Sequence, residues 1–220
     1  MLIGVIGAGG KSTACLRTAQ ALSDRSVLLM TTTHIYPVEP PDCRELLIDP
    51  EQKALLQALE QPGIVCAGTA SREGKLASLS TEMLNAALAR ADVTVYEADG
   101  SKGRPLKLHR PFEPVLLPGT DVCLVLAGLS ALGRPVGDVV HCYDRVPEWK
   151  EHPERPVSAE DFLFCVRETI CTALGCAERI LVLLNQADVL GDSKAGQKLC
   201  RELEREGYPC RVVSLKEMGD

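Results

Sequence analysis

The chain has 220 residues, enough for one well-cored domain and too few for two α/β domains, so we treat 1–220 as a single domain. Its 30 acidic residues outnumber 24 basic ones, and the net charge of −6 argues against a nucleic-acid-binding protein. No apolar run is long enough to cross a membrane, and the first residues lack the basic region of a signal peptide. We therefore expect a cytoplasmic protein with neither a nucleic acid nor a membrane as partner.

Apolar, strand-like runs alternate with segments of helical period along the chain. The pattern predicts strands at 2–7, 26–33, 63–70, 92–99, 121–128, 179–188 and 210–215, and helices at 11–24, 50–61, 80–91, 158–175 and 193–207. The region around 100–157 interrupts this rhythm and is expected to be an irregular insertion that carries strand 121–128. Such alternation is typical of an α/β protein with a mostly parallel sheet and helices on both faces. We predict a three-layer architecture like that of the P-loop NTPases.

The first predicted strand runs into the sequence GAGGKST, residues 7–13, which opens a predicted helix. A glycine-rich turn at a helix N-terminus presents backbone N–H groups and the positive end of the helix dipole to a phosphate. We expect Lys11 to contact the β- and γ-phosphates and Ser12 to ligate Mg²⁺. The match to the strict motif is partial, because Val5 stands where its first glycine should be. A turn without a ligand is the alternative. The other members of the predicted nucleotide-binding loop are Gly7, Gly9, Gly10 and Thr13.

The second predicted strand ends in TTTHIY, residues 31–36. Hydroxyl groups at the carboxyl end of a strand suit a contact to magnesium or to a γ-phosphate, and we assign that role to Thr32 or Thr33. His34 is a candidate proton carrier beside the phosphates. Threonine is also a good strand former, so a purely structural strand end is the alternative.

The strand at 92–99 ends in two carboxylates, followed by a loop rich in cations. We expect Glu97 or Asp99 to hold Mg²⁺, directly or through water. The loop is predicted to receive a second anionic group, a phosphate or carboxylate of a small substrate, with a solvated charged loop as the alternative. Its cations are Lys102, Arg104, Lys107, His109 and Arg110.

The strand at 179–188 ends in NQAD. Asn185, Gln186 and Asp188 resemble the guanine-recognition element of GTPases, in which the aspartate accepts hydrogen bonds from groups that adenine lacks. The sequence SLK at 214–216 resembles the supporting turn of those proteins. Because a glutamine replaces the usual stacking lysine, GTP and ATP both stay candidates. The alternative is a polar turn in which Asp188 caps the next helix.

The ten cysteines show no CxxC pair and no zinc-ligand spacing. We expect reduced thiols that are mostly buried as small apolar side chains. Cys171 and Cys176, in CTALGC, are the candidates for a redox or selenium-handling role.

Together, the stretches GAGGKST, TTTHI, EADGSKGRPLKLHRPFEPVLLPGTD and LLNQAD resemble the YqeC family, described as accessory proteins of selenium-dependent hydroxylases or of selenium cofactor biosynthesis. The resemblance runs from residue 3 to about residue 190, and EADGSKGRPLK is its most specific part. It implies a role in the maturation of selenium-dependent molybdenum hydroxylases or their cofactor, with a cofactor precursor or a hydroxylase client as partner. The glycine-rich loop and the ExD strand end are also similar to the Mur ligases, where Glu97 matches a metal-binding glutamate.

The sequence as a whole predicts a P-loop protein that binds GTP or ATP with Mg²⁺ and acts as an NTPase. Lys11, Glu97, Asp99 and His34 are its candidate catalytic residues. Two alternatives stand beside it: a Mur-ligase-like or kinase-like enzyme acting on a small anionic substrate, and a non-catalytic binder of a phosphate-bearing cofactor.

Overall fold

The computed structural model describes residues 1–189 and 193–216. The strands are β1 (Leu2–Gly7), β2 (Ser26–Thr31), β3 (His34–Ile35), β4 (Glu45–Ile48), β5 (Gly63–Ala70), β6 (Leu76–Ala77), β7 (Val93–Glu97), β8 (Leu106–Lys107), β9 (Thr120–Gly128), β10 (Val140–His141), β11 (Ala177–Asn185) and β12 (Cys210–Val212). The α-helices are α1 (Lys11–Ala21), α2 (Gln52–Ala58), α3 (Thr81–Arg90), α4 (Val136–Val139), α5 (Pro147–Glu151), α6 (Ala159–Ala173) and α7 (Ser193–Arg205).

Ten strands of the described chain form one sheet in the order β12-β11-β9-β1-β7-β2-β5-β6-β3, with β4 pairing to β5 as well. Its pairings are parallel except where β6 pairs with β5 and with β3. Strands β8 and β10 pair with each other outside this sheet. The prediction of an α/β fold with a mostly parallel sheet is confirmed.

Helices cover both faces of the sheet, but unequally. The connection from β1 through α1 to β2 runs one way along the sheet, whereas the connections through α2, α3, α6 and α7 run the other way. Because parallel crossovers are right-handed, the two directions place their helices on opposite faces. The core agrees, since Ala14 and Ala19 of α1 pack in one apolar cluster, while Leu84, Phe162 and Leu203 pack in the other. This three-layer arrangement is compatible with a P-loop-like fold.

All the predicted strands and helices are present, several of them shorter at their ends. The sequence analysis missed β3, β4 and β6, which are too short to show a period and depend on pairing with neighbours such as β5. The stretch after β9, predicted as irregular, contains α4, β10 and α5.

Eight of the ten cysteines are buried free thiols, and the two exposed ones are Cys171 and Cys176. Burial of this kind agrees with the expectation that most cysteines serve as small apolar side chains. None of the helices in the described ranges has the length and apolar character that a bilayer span requires.

Candidate functional site

A cleft of about 680 Å³ lies where β1, β2 and β7 reach their carboxyl ends. Its walls include residues 9–12 of the glycine-rich loop, residues 32–36 after β2, and residues 100–104 after β7. Parallel α/β sheets bind ligands at this edge. The fold therefore brings together three of the stretches that the sequence analysis selected.

The glycine-rich loop connects β1 to α1 through only three residues, 8–10. Gly7, the last residue of β1, has a φ of 94°, and a Cβ there would collide with the carbonyl oxygen of Leu126. Gly10 caps α1 with a φ of 116° and offers no side-chain acceptor to the first turn. The N–H groups of that turn have no acceptor within the helix, and residues 9–12 line the cleft. This backbone is suited to binding an anion at the helix N-terminus.

Lys11, the first residue of α1, lies at the base of the cleft between two carboxylates. Its ammonium nitrogen donates to the Gly7 carbonyl at 3.0 Å and lies 3.5 Å from Oε1 of Glu97 and 3.4 Å from Oδ1 of Asp99. Burial of the ammonium acts to lower its pKa, but the charges of Asp99 and Glu97 outweigh burial and raise it. Lys11 is therefore a permanently charged group next to the helix N-terminus.

Ser12 and Glu97 form a pair of oxygen donors in the same cleft. The Ser12 hydroxyl donates to Oε2 of Glu97 at 3.0 Å, and both residues line the cleft wall. Burial raises the pKa of Glu97, while Lys11 and Ser12 oppose that shift. No group of three or more His, Cys, Asp or Glu residues that could hold a metal occurs in the described ranges. A hydroxyl and one carboxylate nevertheless fit Mg²⁺, which takes few protein ligands when phosphates and water supply the others.

Asp99, only two residues further along, has a different environment and is absent from the cleft wall. Its side chain is 0% exposed. Its Oδ2 atom accepts hydrogen bonds from the Gly7 N–H at 3.0 Å and from Nε2 of His109 at 2.5 Å, and lies 2.9 Å from the Lys107 ammonium. The expectation that Asp99 ligates a metal is corrected, because protein groups enclose the carboxylate.

The charged partners of Asp99 also explain its ionisation. Burial acts to raise the pKa of Asp99, but the hydrogen bond from His109 and the charges of Lys11 and Lys107 outweigh burial and lower it. Burial lowers the pKa of His109, and the Asp99 contact opposes that shift. His109 is thus a neutral imidazole at pH 7 that donates from Nε2. Asp99 fixes the end of β1 to the loop after β7.

The cation-rich loop divides into parts with different positions. Lys102 and Arg104 line the cleft. Lys107 and His109 are only 1% and 3% exposed, so the expectation that they receive a substrate anion is corrected. Lys107 is the last residue of β8 and His109 follows the strand, and the Lys107 ammonium is 2.9 Å from a carboxylate oxygen of Glu113. Arg110 lies outside the cleft and lines a separate cavity of about 280 Å³.

The segment after β2 lines the opposite wall of the cleft. The Thr31 hydroxyl donates to the Glu97 carbonyl at 2.9 Å, which joins the ends of β2 and β7. The Thr32 hydroxyl donates its proton to the Val115 carbonyl at 2.8 Å. Thr33 and the exposed His34 line the cleft as well.

Asn185, predicted to recognise a base, instead supports the glycine-rich loop. Its amide nitrogen donates to the Gly9 carbonyl at 2.7 Å, and its amide oxygen accepts from the Leu215 N–H at 3.0 Å. Both ends of the amide are therefore used within the protein, at a position only 4% exposed. The prediction that Asn185 contacts a base is corrected to a positioning role.

Gln186 and Asp188 lie next to a small cavity of about 120 Å³. Gln186 has a φ of 66°, and its side-chain oxygen accepts from the Ser130 hydroxyl at 2.5 Å. The Asp188 N–H donates to the Ser214 hydroxyl at 3.0 Å, which connects the NQAD and SLK sequences. Thr13, Asp188 and Lys216 are among the residues that line this cavity.

Tyr36, Lys75 and Phe112 are among the cleft-wall residues that the sequence analysis did not select. The prolines beside Tyr36 and Phe112 are a signal for a turn or loop, which could have pointed to the surface position of these residues. Lys75 gives no such signal, because only the pairing of β6 with β3 brings it to the cleft.

Comparison with known proteins identifies the family. A family model described as "YqeC protein" matches residues 3–144. The chain belongs to the YqeC family. It is 29% identical over 181 residues to the "Uncharacterized protein YqeC" of Escherichia coli (strain K12), an alignment that covers 76% of this chain and 67% of that relative. No solved structure matches the chain. The glycine-rich loop, the ExD strand end and the cation-rich loop all lie within the part that the YqeC model matches.

Proposed function

We propose that this YqeC protein binds a nucleoside triphosphate with Mg²⁺ in the cleft and hydrolyses it. The observation that carries the proposal is the juxtaposition of three features in one cleft: the helix N-terminus capped by Gly10, the Lys11 ammonium, and the Ser12–Glu97 pair. Each supplies one of the contacts that a bound triphosphate requires: backbone N–H groups, a fixed cation and oxygen ligands for a metal.

The residues have distinct roles in this proposal. Residues 9–12 bind the phosphates, and Lys11 stabilises negative charge on the transferred phosphoryl group. Ser12 and Glu97 hold Mg²⁺, which neutralises phosphate charge that Glu97 would otherwise repel. Asp99 positions the loop through the Gly7 N–H. Catalysis then depends on positioning and charge stabilisation and needs no protein nucleophile.

The base is proposed to lie at the cavity lined by Thr13, Asp188 and Lys216. A carboxylate there favours guanine, because it accepts hydrogen bonds from ring groups that adenine does not have. The link from Asp188 to Ser214 supports this orientation of the turn. ATP is the alternative nucleotide. Replacing Asp188 distinguishes the two, because only guanine binding is expected to depend on its carboxylate.

The biological role is proposed from the resemblance to YqeC proteins: nucleotide turnover serves the maturation of selenium-dependent molybdenum hydroxylases or their cofactor. Two other candidates use the same cleft. A ligase-like or kinase-like enzyme would hydrolyse nucleotide only when a small anionic substrate is added, which the cations Lys102 and Arg104 favour. A carrier of a phosphate-bearing cofactor would bind without turnover.

Titration calorimetry with non-hydrolysable GTP and ATP analogues and MgCl₂ tests the proposal. We expect saturable binding by the wild type, at least tenfold weaker binding by Lys11→Ala, and loss of the Mg²⁺ dependence in Ser12→Ala. Asp188→Ala should weaken the GTP analogue selectively. Phosphate release with GTP and ATP then measures turnover.

The exposed Lys53 on α2 provides the charge-matched control, and Lys53→Ala should bind as the wild type does. Circular dichroism establishes that the variants are folded. Failure of the folded wild type to bind either analogue, or unchanged affinity in a folded Lys11→Ala variant, overturns the proposal. Binding without any turnover would favour the carrier.

A further inference from the structure

The cleft also carries aromatic and cationic side chains to which the proposed nucleotide site assigns no role. Phe112 and Tyr36 are 69% and 67% exposed, the highest values among the exposed large apolar side chains of the described residues, and both line the cleft. Aromatic rings usually find apolar partners in a folded protein, and a concave site that leaves two of them exposed is suited to a ring-shaped ligand.

Two cations, Lys75 and Lys102, line the same cleft. Lys75 lies over the Tyr36 ring, 5.1 Å from its centroid, and its closest acidic neighbour is the exposed Glu73 at 3.5 Å. Lys102 is exposed, lines the cleft and has no ion-pair or hydrogen-bond partner within the described ranges. The two carboxylates of the cleft wall contact other residues. Glu97 pairs with Lys11 and accepts a hydrogen bond from Ser12, and Glu113 pairs with Lys107. This wall therefore carries net positive charge beside aromatic surface.

The strand order separates this wall from the proposed base site. Tyr36 follows β3 and Lys75 precedes β6, at one end of the sheet, whereas Asp188 follows β11, on the other side of β1 and its phosphate-binding loop. A nucleotide with its phosphates at Lys11 and its base at Asp188 extends away from Tyr36. The aromatic wall is thus available to a second molecule.

We propose that this wall, formed by Tyr36, Phe112, Lys75 and Lys102, binds a second substrate that is a planar aromatic molecule carrying a negatively charged group. The aromatic rings bind its faces by stacking, and the ammonium groups bind its anion. A concave wall favours a small molecule over a protein surface. The inference rests on the proposed function, since it assigns the nucleotide to the other half of the cleft.

The test uses full-length protein saturated with whichever nucleotide analogue binds, in MgCl₂. Two aromatic phosphates, riboflavin 5′-phosphate and 1-naphthyl phosphate, are titrated and followed by their fluorescence. Riboflavin supplies the ring without the charge, and glycerol 3-phosphate supplies the charge without a ring. We expect both aromatic phosphates to bind without displacing the analogue, at least tenfold more tightly than either control ligand.

Variants of the wall then assign the site. The double variant Tyr36→Ala/Phe112→Ala and the single variant Lys102→Ala should each weaken the aromatic phosphates at least tenfold, with the affinity for the analogue unchanged within twofold. Tyr36→Phe should retain binding, because it keeps the ring. Leu174→Ala, another exposed apolar residue, and Lys53→Ala are the matched controls and should bind as the wild type does.

Three outcomes overturn this inference: neither aromatic phosphate binds the loaded protein, binding is indifferent to the wall variants, or the phosphates displace the analogue. Displacement would mean that the probes occupy the nucleotide site. Each of these results is distinct from failure of the proposed function, which is already decided by whether the analogue itself binds to the unloaded wild type.

Discussion

The two halves of the loop after β7 are both rich in basic residues but have opposite environments. In the first half, Lys102 and Arg104 line the cleft, and the Lys102 side chain is exposed. In the second half, Lys107 and His109 are buried around the fully enclosed Asp99. The difference shows that a cluster of basic residues in a sequence can contain two kinds of side chain, those that line an open cleft and those that pair with a buried carboxylate.

The same division separates Glu97 from Asp99. Glu97 points into the cleft, and burial raises its pKa, whereas the surrounding donors and cations lower the pKa of Asp99 against the effect of burial. One carboxylate is therefore available to a metal ion, and the other holds the glycine-rich loop in place. The contrast can be tested by removing charges from each half in turn.

The largest effect is expected from Lys107→Met. Removing this ammonium leaves the Asp99 and Glu113 carboxylates without a shared cation, and loss of one partner of a buried ion pair typically costs about 3–5 kcal/mol. Lys102→Met should change the free energy of unfolding by less than about 0.5 kcal/mol, because that side chain is exposed. Urea denaturation of both variants measures the difference. Equal losses would contradict the division of the loop.

A smaller effect is expected from Asn185→Ala, which extends the comparison to the NQAD sequence. The variant leaves the Gly9 carbonyl and the Leu215 N–H without their partner, at a cost of about 1–3 kcal/mol. Asp188→Ala should leave the free energy of unfolding within about 0.5 kcal/mol of the wild type, since Asp188 is exposed. Chemical denaturation provides the measurement, and a larger loss for Asp188→Ala would reverse the assigned roles.

The smallest effect is a dependence of stability on pH that arises from His109. Its folded-state pKa is lowered by burial, so as the pH falls below the unfolded-state value of about 6.5 the unfolded chain takes up the proton first. The contribution of His109 to the free energy of unfolding is therefore fully present above that pH and decreases as the pH falls below it. Measuring the unfolding free energy at pH 7.5 and 5.5 should give a smaller decrease for His109→Asn than for the wild type. His141, whose pKa is also lowered, contributes equally to both proteins.

The sequence by itself determined the α/β class, the parallel sheet and the position of the glycine-rich loop. These follow from local chemistry: apolar strands such as β1 and β9 read as continuous runs, and the glycines and Lys11 stand at the junction of a strand and a helix. The carboxyl ends of parallel strands lie along one edge, so the meeting of residues after β1, β2 and β7 was predictable as well. Short strands such as β4 were not, because their stability depends on pairing.

Only the tertiary structure decided which of the polar residues face the cleft. Asp99 and Glu97 are two residues apart, and nothing in their order says that Lys107 and His109 will enclose one and leave the other open. Tyr36, Lys75 and Phe112 likewise come from three separate segments that meet through the sheet edge and the loop after β7. Burial is a property of long-range packing, and the free energy of a buried charge depends on partners that the sequence places far away.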